Sequence, residues 1–239
     1  MEESILTSKI STIQPITYMK RKLHLVIFLL LSCNLLPAQD ILPPFYQDIQ
    51  KFKQQDSLSF PPRKAILFIG SSSFTNWKDV QDYFSTHSIV NRAFGGSSLP
   101  DVVRYVNDIV FPYQPKQIII YCGENDLAGN DSVSAEIVFN RFKQFFLFIR
   151  SRLPNVSIGY VSMKASPSRE RLWPKMREGN LLIKNYLKTK KQTVFIDVYY
   201  KMFNKNGKVM QEIFIKDNLH MNAKGYAIWQ KIIEPYLLD

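Results

Sequence analysis

The fold is decided at residues 65–73, which read Ala-Ile-Leu-Phe-Ile-Gly-Ser-Ser-Ser. A continuous apolar run that ends at a glycine is typical of a strand buried on both faces of a parallel sheet. Similar short runs predict further strands at 88–92, 117–122, 157–162 and 193–197. Helical patterns at 43–55, 99–110, 132–153, 174–188 and 222–238 alternate with them. The sequence therefore predicts an α/β domain in which helices cover both faces of a five-stranded parallel sheet.

Polar residues follow several of the predicted strands. Three serines follow Gly70, a pair of glycines ends at Gly96, and residues 123–126 read Gly-Glu-Asn-Asp. Asp217 and His220 stand just before the last predicted helix. Each segment alone is explained by a helix cap, a tight turn or a local hydrogen bond. Active sites of parallel sheets form beyond the carboxyl ends of the strands, so their ordered appearance favours one shared site.

These four segments resemble the sequence blocks of the SGNH, or GDSL-like, hydrolase family over residues 64–238. The resemblance implies a flavodoxin-like, three-layer α/β/α sandwich. It also implies an esterase that works through an acyl-serine intermediate and needs no metal or organic cofactor. The catalytic triad that it assigns is Ser72, Asp217 and His220. The oxyanion hole that it assigns comprises the amides of Ser72 and Gly96 and the side chain of Asn125.

The residue before the assigned nucleophile departs from the family pattern. Ser71 stands where the family usually has aspartate, so the hydroxyls of Ser71, Ser72 and Ser73 are adjacent candidates. A serine needs a base to accept its proton. His87 precedes the second strand, at the opposite edge of the sheet, and we interpret it as a surface-loop residue. His220 is then the plausible base, with Asp217 fixing its tautomer.

Two other enzyme classes are excluded by missing motifs. No Gly-x-Ser-x-Gly elbow is present, because Phe74 stands where Ser72 would need the second glycine. No Gly-x-Gly-x-x-Gly dinucleotide motif is present either. The substrate expectation is a small acyl ester, such as an acetyl group on a carbohydrate or lipid. The alternative from another class is a catalytically weak or inactive glycan- or envelope-binding module on the same fold.

The 239-residue chain has a net charge of +11, with its lysines and arginines spread along the sequence. Because no aromatic-basic motif accompanies them, we predict a basic solvated surface and no nucleic-acid partner. Two of the three tryptophans occur in segments that follow predicted strands. Trp77 is predicted to be a core residue, whereas residues 164–173 either border the substrate pocket or form a structural loop.

The N-terminal region is predicted to lie outside the fold. A basic cluster at 20–22, an apolar run at 23–36 and Ala38 describe a secretory signal peptide, with translation starting at Met19. We therefore assign residues 1–38 to this extension, 39–63 to an N-terminal helix and linker, and 64–239 to the hydrolase domain. The expected location is periplasmic or secreted. A lipoprotein anchored at Cys33 is the alternative, and cleavage after Ala38 leaves Cys122 as the single cysteine.

The export hypothesis predicts the N-terminus of the mature protein. We expect it at Gln39, or at a lipidated Cys33, because signal peptidases cut after a small residue that follows the apolar run. N-terminal sequencing or intact-mass analysis of the endogenous protein measures this. Recovery of cytosolic protein that retains residues 19–38 would contradict the hypothesis.

Overall fold

Five parallel strands form the sheet of the computed structural model, which describes residues 42–239. The strands are β1 (Ile66–Gly70), β2 (Ile89–Asn91), β3 (Gln117–Tyr121), β4 (Ser157–Val161) and β5 (Thr193–Ile196). Their spatial order is β2-β1-β3-β4-β5, which is the flavodoxin-like order. The predicted α/β fold is thus confirmed, and each strand lies within one residue of its predicted ends. The predicted signal peptide, the start at Met19 and the anchor at Cys33 lie outside the described residues.

The strands alternate with helices along the chain. The helices are α1 (Tyr46–Leu58), α2 (Ser72–Thr75), α3 (Val80–Tyr83), α4 (Leu99–Arg104), α5 (Val106–Ile109), α6 (Glu124–Gly129), α7 (Ala135–Arg152), α8 (Trp173–Lys188) and α9 (Ala223–Ile233). Every residue of β1 and of β3 is buried. This burial explains why both strands are continuous apolar runs rather than alternating ones. Among residues 42–239, no helix has the length and apolar character needed to cross a membrane.

Two predicted helices are shorter in the structure. The helix predicted at 99–110 is interrupted at Tyr105, whose backbone has φ −104° and ψ 11°. The helix predicted at 222–238 ends at Ile233 and continues as a 3₁₀ turn at Glu234–Tyr236. Pro235 explains this end, because proline has no N–H to donate and is tolerated only in a first helical turn.

Helix α1 is anchored to the loop that follows β2. The Asp56 carboxylate accepts hydrogen bonds from Arg92 and from the Tyr113 hydroxyl. The Tyr105 hydroxyl donates to the carbonyl oxygen of Pro44 at 2.7 Å, just before the helix. Ile49 is buried in the core. These contacts fix α1 beside the sheet edge where the serines lie.

An aromatic cluster joins α9 to the segment that follows β1. The ring of Trp77 stacks on Tyr226, with centroids 4.8 Å apart. Trp229 packs edge-on against Tyr121 at 4.9 Å and against Phe74 at 6.1 Å. Trp77 is fully buried, so its prediction as a core residue is confirmed. The Tyr226 hydroxyl also donates to the Ser73 carbonyl oxygen at 2.9 Å, which ties the last helix to the serine turn.

Gly70 ends β1 in a conformation that suits glycine alone. Its φ is +124°, and a Cβ atom there would lie 1.9 Å from the carbonyl oxygen of Tyr121. The neighbouring strand therefore approaches too closely for any side chain, which explains the glycine before the three serines.

We expect Gly70→Ala to lower the free energy of unfolding by about 3 kcal/mol or more, because backbone strain adds to overlap with β3. Gly207→Ala is the matched control, since Gly207 has φ +72° but open space where a Cβ atom would stand. It should cost only about 1 kcal/mol. Urea unfolding measures both, and equal losses would refute the steric explanation.

Candidate active site

The serine turn begins directly after β1. Ser71 precedes α2, Ser72 is the first residue of α2, and Ser73 is the second. Ser71 is 5% exposed and Ser73 1% exposed, whereas Ser72 is only half-buried. Neither the hydroxyl nor the amide of Ser72 forms a hydrogen bond with another residue of 42–239. Ser72 is therefore the most accessible of the three serines.

The loop after β2 lies beside this turn. The amide of Phe94 donates to the Gly70 carbonyl oxygen at 3.0 Å, and the Ser97 hydroxyl donates to the same oxygen at 3.0 Å. Gly96 is exposed and has φ +85°. Within the described part of the chain, its amide has no hydrogen-bond acceptor. The amides of Ser72 and Gly96 are thus both free to donate to a substrate oxygen.

Asn125 lies at the N-terminal end of α6, and both ends of its side-chain amide are engaged. Its Nδ2 donates to Ser71 Oγ at 2.7 Å and to the Ser97 carbonyl oxygen at 3.0 Å. Its Oδ1 accepts from Nη2 of Arg169 at 2.8 Å. The amide nitrogen therefore faces the serine turn, as an oxyanion donor would. Because both its hydrogens are committed, donation to a substrate would require Asn125 to release or share one partner.

Asp217 and His220 form a hydrogen-bonded pair before α9. His220 Nδ1 lies 2.6 Å from Asp217 Oδ2, and Asp217 Oδ1 accepts from the amides of Leu219 and His220 at 2.9 Å each. Burial alone would raise the pKa of the Asp217 carboxyl, but these hydrogen bonds hold it at about 2. The Asp217 carboxyl is therefore ionised in the neutral pH range.

The 3₁₀ segment Pro167–Leu172 joins these two parts of the site. The amide of Ser168 donates to the Asn218 carbonyl oxygen at 3.1 Å, beside Asp217. Arg169 Nη1 donates to the Glu124 carbonyl oxygen at 2.8 Å, so its guanidinium holds both Glu124 and Asn125. Trp173 instead donates to the Ser166 carbonyl oxygen and packs on Phe203. The sequence left the role of residues 164–173 open. In the structure, Arg169 contacts Glu124 and Asn125, whereas Trp173 has a packing role.

A buried ion pair lies beneath the Gly-Glu-Asn-Asp segment. Lys164 is 1% exposed, and its Nζ lies 3.2 Å from Glu124 Oε2 and 3.2 Å from the Tyr121 hydroxyl. The Tyr121 hydroxyl donates to Glu124 as well. Burial would raise the pKa of the Glu124 carboxyl, but the charges of Lys164 and Arg169 outweigh it and lower that pKa. Burial lowers the pKa of Lys164. The pair supports the backbone from which Asn125 projects.

Asp126 holds the same segment from its other side. Its Oδ2 accepts from the Leu99 amide at 2.9 Å, at the start of α4, and its Oδ1 accepts from Arg141 at 2.7 Å. Asp126 is 3% exposed. The sequence predicted no contact of Arg169 or Lys164 with the Gly-Glu-Asn-Asp segment, and no individual role for Asp126. A lysine two residues after the predicted strand at 157–162, between Met163 and Ala165, was the one available signal for the buried pair.

His87 and Cys122 are the remaining residues that could carry chemistry. His87 Nδ1 lies 3.2 Å from the carbonyl oxygen of Leu238, near the C-terminus. Within residues 42–239, no group of three or more histidine, cysteine, aspartate or glutamate side chains could hold a metal ion. Cys122 is buried and unpaired among the same residues.

Comparison with known proteins gives one family. The GDSL-like Lipase/Acylhydrolase family matches residues 56–228. No curated protein sequence matches the chain.

Solved structures share the fold at low identity. A GDSL-like lipase from Bacteroides thetaiotaomicron VPI-5482 is 19% identical, with a TM-score of 0.67 over 79% of this chain and 96% of that one. The lipase/acylhydrolase from Enterococcus faecalis is 19% identical, with a TM-score of 0.57 over 74% and 97%. A family 3 carbohydrate esterase from Clostridium thermocellum is 16% identical, with a TM-score of 0.54 over 72% and 96%.

The contacts of Arg169 make it a candidate positioning residue for Asn125. We expect Arg169→Ala to lower kcat on an ester substrate by roughly tenfold to a hundredfold with little change in KM, because Asn125 loses its orientation. Arg169→Lys should recover only part of the rate. A lysine ammonium cannot bind both the Glu124 carbonyl oxygen and Asn125 Oδ1 as the planar guanidinium does.

Arg171→Ala is the matched control for this prediction. Arg171 lies in the same segment but pairs with Asp131 at the surface, where their side chains are 63% and 80% exposed. Steady-state kinetics of the variants should leave Arg171→Ala near wild type. Equal losses in the two variants, or a loss confined to KM, would contradict a positioning role for Arg169.

Proposed function

The chain belongs to the GDSL-like lipase/acylhydrolase family, and on this premise we propose that it is an exported serine esterase that removes small acyl groups. The observation that carries the proposal is the Asp217–His220 hydrogen bond of 2.6 Å. We assign this pair to one site with Ser72, the most exposed of the three serines that follow β1. A carboxylate bound to one imidazole nitrogen leaves the other nitrogen available as a base.

In the proposed reaction, the Ser72 hydroxyl attacks the ester carbonyl carbon while His220 Nε2 accepts its proton. Asp217 keeps the proton of the imidazole on Nδ1 and stabilises the imidazolium. The tetrahedral oxyanion accepts hydrogen bonds from the amides of Ser72 and Gly96 and from Asn125. His220 then returns the proton to the departing alcohol, which leaves an acyl-Ser72. Water activated by His220 attacks this ester, releasing the acid and the free serine.

Ser71 affects the proposed oxyanion hole through its contact with Asn125. Its hydroxyl accepts a hydrogen bond from Asn125 in the resting site. A hydroxyl exchanges partners at lower cost than a carboxylate would, because hydrogen bonds to charged groups are stronger. We propose that the oxyanion replaces Ser71 as an acceptor for Asn125, so that this interaction forms only as charge develops. Such an interaction contributes to kcat rather than to substrate binding.

The acyl group and the location are parts of the same proposal. Small acyl groups, acetyl above all, attached to a carbohydrate or lipid alcohol are the proposed substrates. The presence of a carbohydrate esterase among proteins of this fold supports the choice of alcohol. The signal-like sequence at 19–38 supports release into the periplasm or the medium, with a lipid anchor at Cys33 as the alternative.

The nucleophile assignment is tested by replacing each serine in turn. We expect Ser72→Ala to abolish hydrolysis of p-nitrophenyl acetate, because no hydroxyl then forms the acyl intermediate. Ser71→Ala should retain kcat within about tenfold, since it removes a partner of Asn125 and not the nucleophile. Ser73→Ala should also remain active. Initial rates measure all three.

Covalent labelling supplies an independent measurement for the same assignment. A fluorophosphonate should modify Ser72, as mapped by mass spectrometry of the labelled peptide. Modification of Ser71 or Ser73 would move the nucleophile. No hydrolysis of any ester by the folded wild-type protein would favour the inactive binding module instead.

A further inference from the structure

A cavity of about 440 Å³ lies between α1 and the segment that carries the serine turn. One wall is formed by the side chains of Asp48, Lys51, Phe52 and Gln55. Their spacing of three, four and seven residues places them on a single face of α1. Ile49 turns to another face and is 1% exposed. Together with the Asp56 anchor, this burial makes α1 a fixed wall of the cavity.

The opposite side of the cavity is close to the proposed reacting atoms. Thr75 lines it and lies three residues after Ser72, so both side chains share one face of α2. A Cβ atom at Gly95 would lie 3.9 Å from Ser72 Cβ and 3.8 Å from Thr75 Cγ2. Along α2, about one helical turn of 5 Å separates Thr75, which lines the cavity, from Ser72. At Gly96, such an atom would lie 3.8 Å from the ring of Phe45, just before α1.

The polar side chains of the α1 wall have unused hydrogen-bonding capacity. Asp48 is half-buried and Lys51 and Gln55 are exposed, and none of the three forms a side-chain hydrogen bond or ion pair with another residue of 42–239. They offer a carboxylate acceptor, an ammonium donor and an amide that does both. A long alkyl chain in this cavity would strip water from these groups without replacing it, which is unfavourable. Hydroxyl groups would satisfy them, and the half-buried ring of Phe52 provides an apolar surface beside them.

We propose that this cavity is a saccharide subsite, which holds the sugar ring next to the one whose acyl ester reaches Ser72. The inference rests on the proposed esterase function, since it names the alcohol that the enzyme deacylates. It also goes beyond the family match, which begins at residue 56 and so excludes the α1 residues that form the wall. The subsite makes the enzyme select a glycan ester over a lipid ester of the same acyl group.

The test compares two substrates with the same acetyl group. The probes are p-nitrophenyl acetate, which is too small to fill the cavity, and an acetylated xylo-oligosaccharide. We expect Lys51→Ala/Gln55→Ala to lower the ratio of kcat/KM for the oligosaccharide to that for p-nitrophenyl acetate by about tenfold, mainly through KM. Gln55→Trp, which fills the cavity, should lower the ratio in the same direction.

The matched control is Lys53→Ala/Gln54→Ala on the same helix. It removes the same two residue types, but Lys53 pairs with Asp108 at 2.6 Å and neither residue lines the cavity. This variant should keep the wild-type ratio. Thermal unfolding of both double variants verifies that α1 remains in place.

Each remaining outcome overturns a distinct part of the proposal. Wild-type protein that cleaves p-nitrophenyl acetate but not the oligosaccharide refutes the subsite and leaves the esterase function intact. A ratio that is unchanged in Lys51→Ala/Gln55→Ala, or changed equally in the control, also refutes the subsite. Preference for an acetyl ester bearing a phosphate group, lost in Lys51→Ala, would assign the cavity to an anion instead. Failure to cleave either probe refutes the proposed function itself.

Discussion

The carbonyl group of Gly70 is the junction on which the arrangement of the site depends. It accepts hydrogen bonds from the Phe94 amide and the Ser97 hydroxyl, and the next residue, Ser71, donates its amide to the Tyr121 carbonyl oxygen at 2.9 Å. The ends of β1, β2 and β3 are thereby joined at a single point. Such close approach is possible because no side chain stands at position 70. The serine turn, the glycine loop and the segment bearing Asn125 owe their proximity to this junction.

The sequence predicted the parts of the molecule that depend on local pattern. Buried parallel strands are short apolar runs whatever packs on them, so β1 to β5 could be predicted to within a residue. The short helices α2 and α6 were not predicted, because each contains only one or two turns and carries no apolar periodicity. The residues of the proposed site were found through a family pattern, and the fold that this pattern implies is confirmed. Their catalytic roles stay predictions.

The supporting residues could not be predicted because their partners are distant in the sequence. Arg169 contacts Asn125 across 44 residues of sequence, and Lys164 contacts Glu124 across 40. Arginine and lysine are ordinarily surface residues, so their identity gives no sign that one is half-buried and the other sealed in the core. The different exposures of the three serines could not be predicted either. They depend on the direction in which α2 leaves the strand, which the sequence alone does not reveal.

The sealed pair of Glu124 and Lys164 constrains how this chain could change over generations. Loss of either partner would leave the other charge buried and unpaired, at a cost of about 3–5 kcal/mol, which is a large part of a domain's stability. A single-step replacement at either position is therefore a poor route, even where the final pair of apolar residues would fold well. Replacing the pair requires both residues to change, in a lineage that tolerates the destabilised protein carrying only one of the two changes. Glu124 and Lys164 are therefore easy to retain together and hard to replace one at a time, whatever their effect on the catalytic rate.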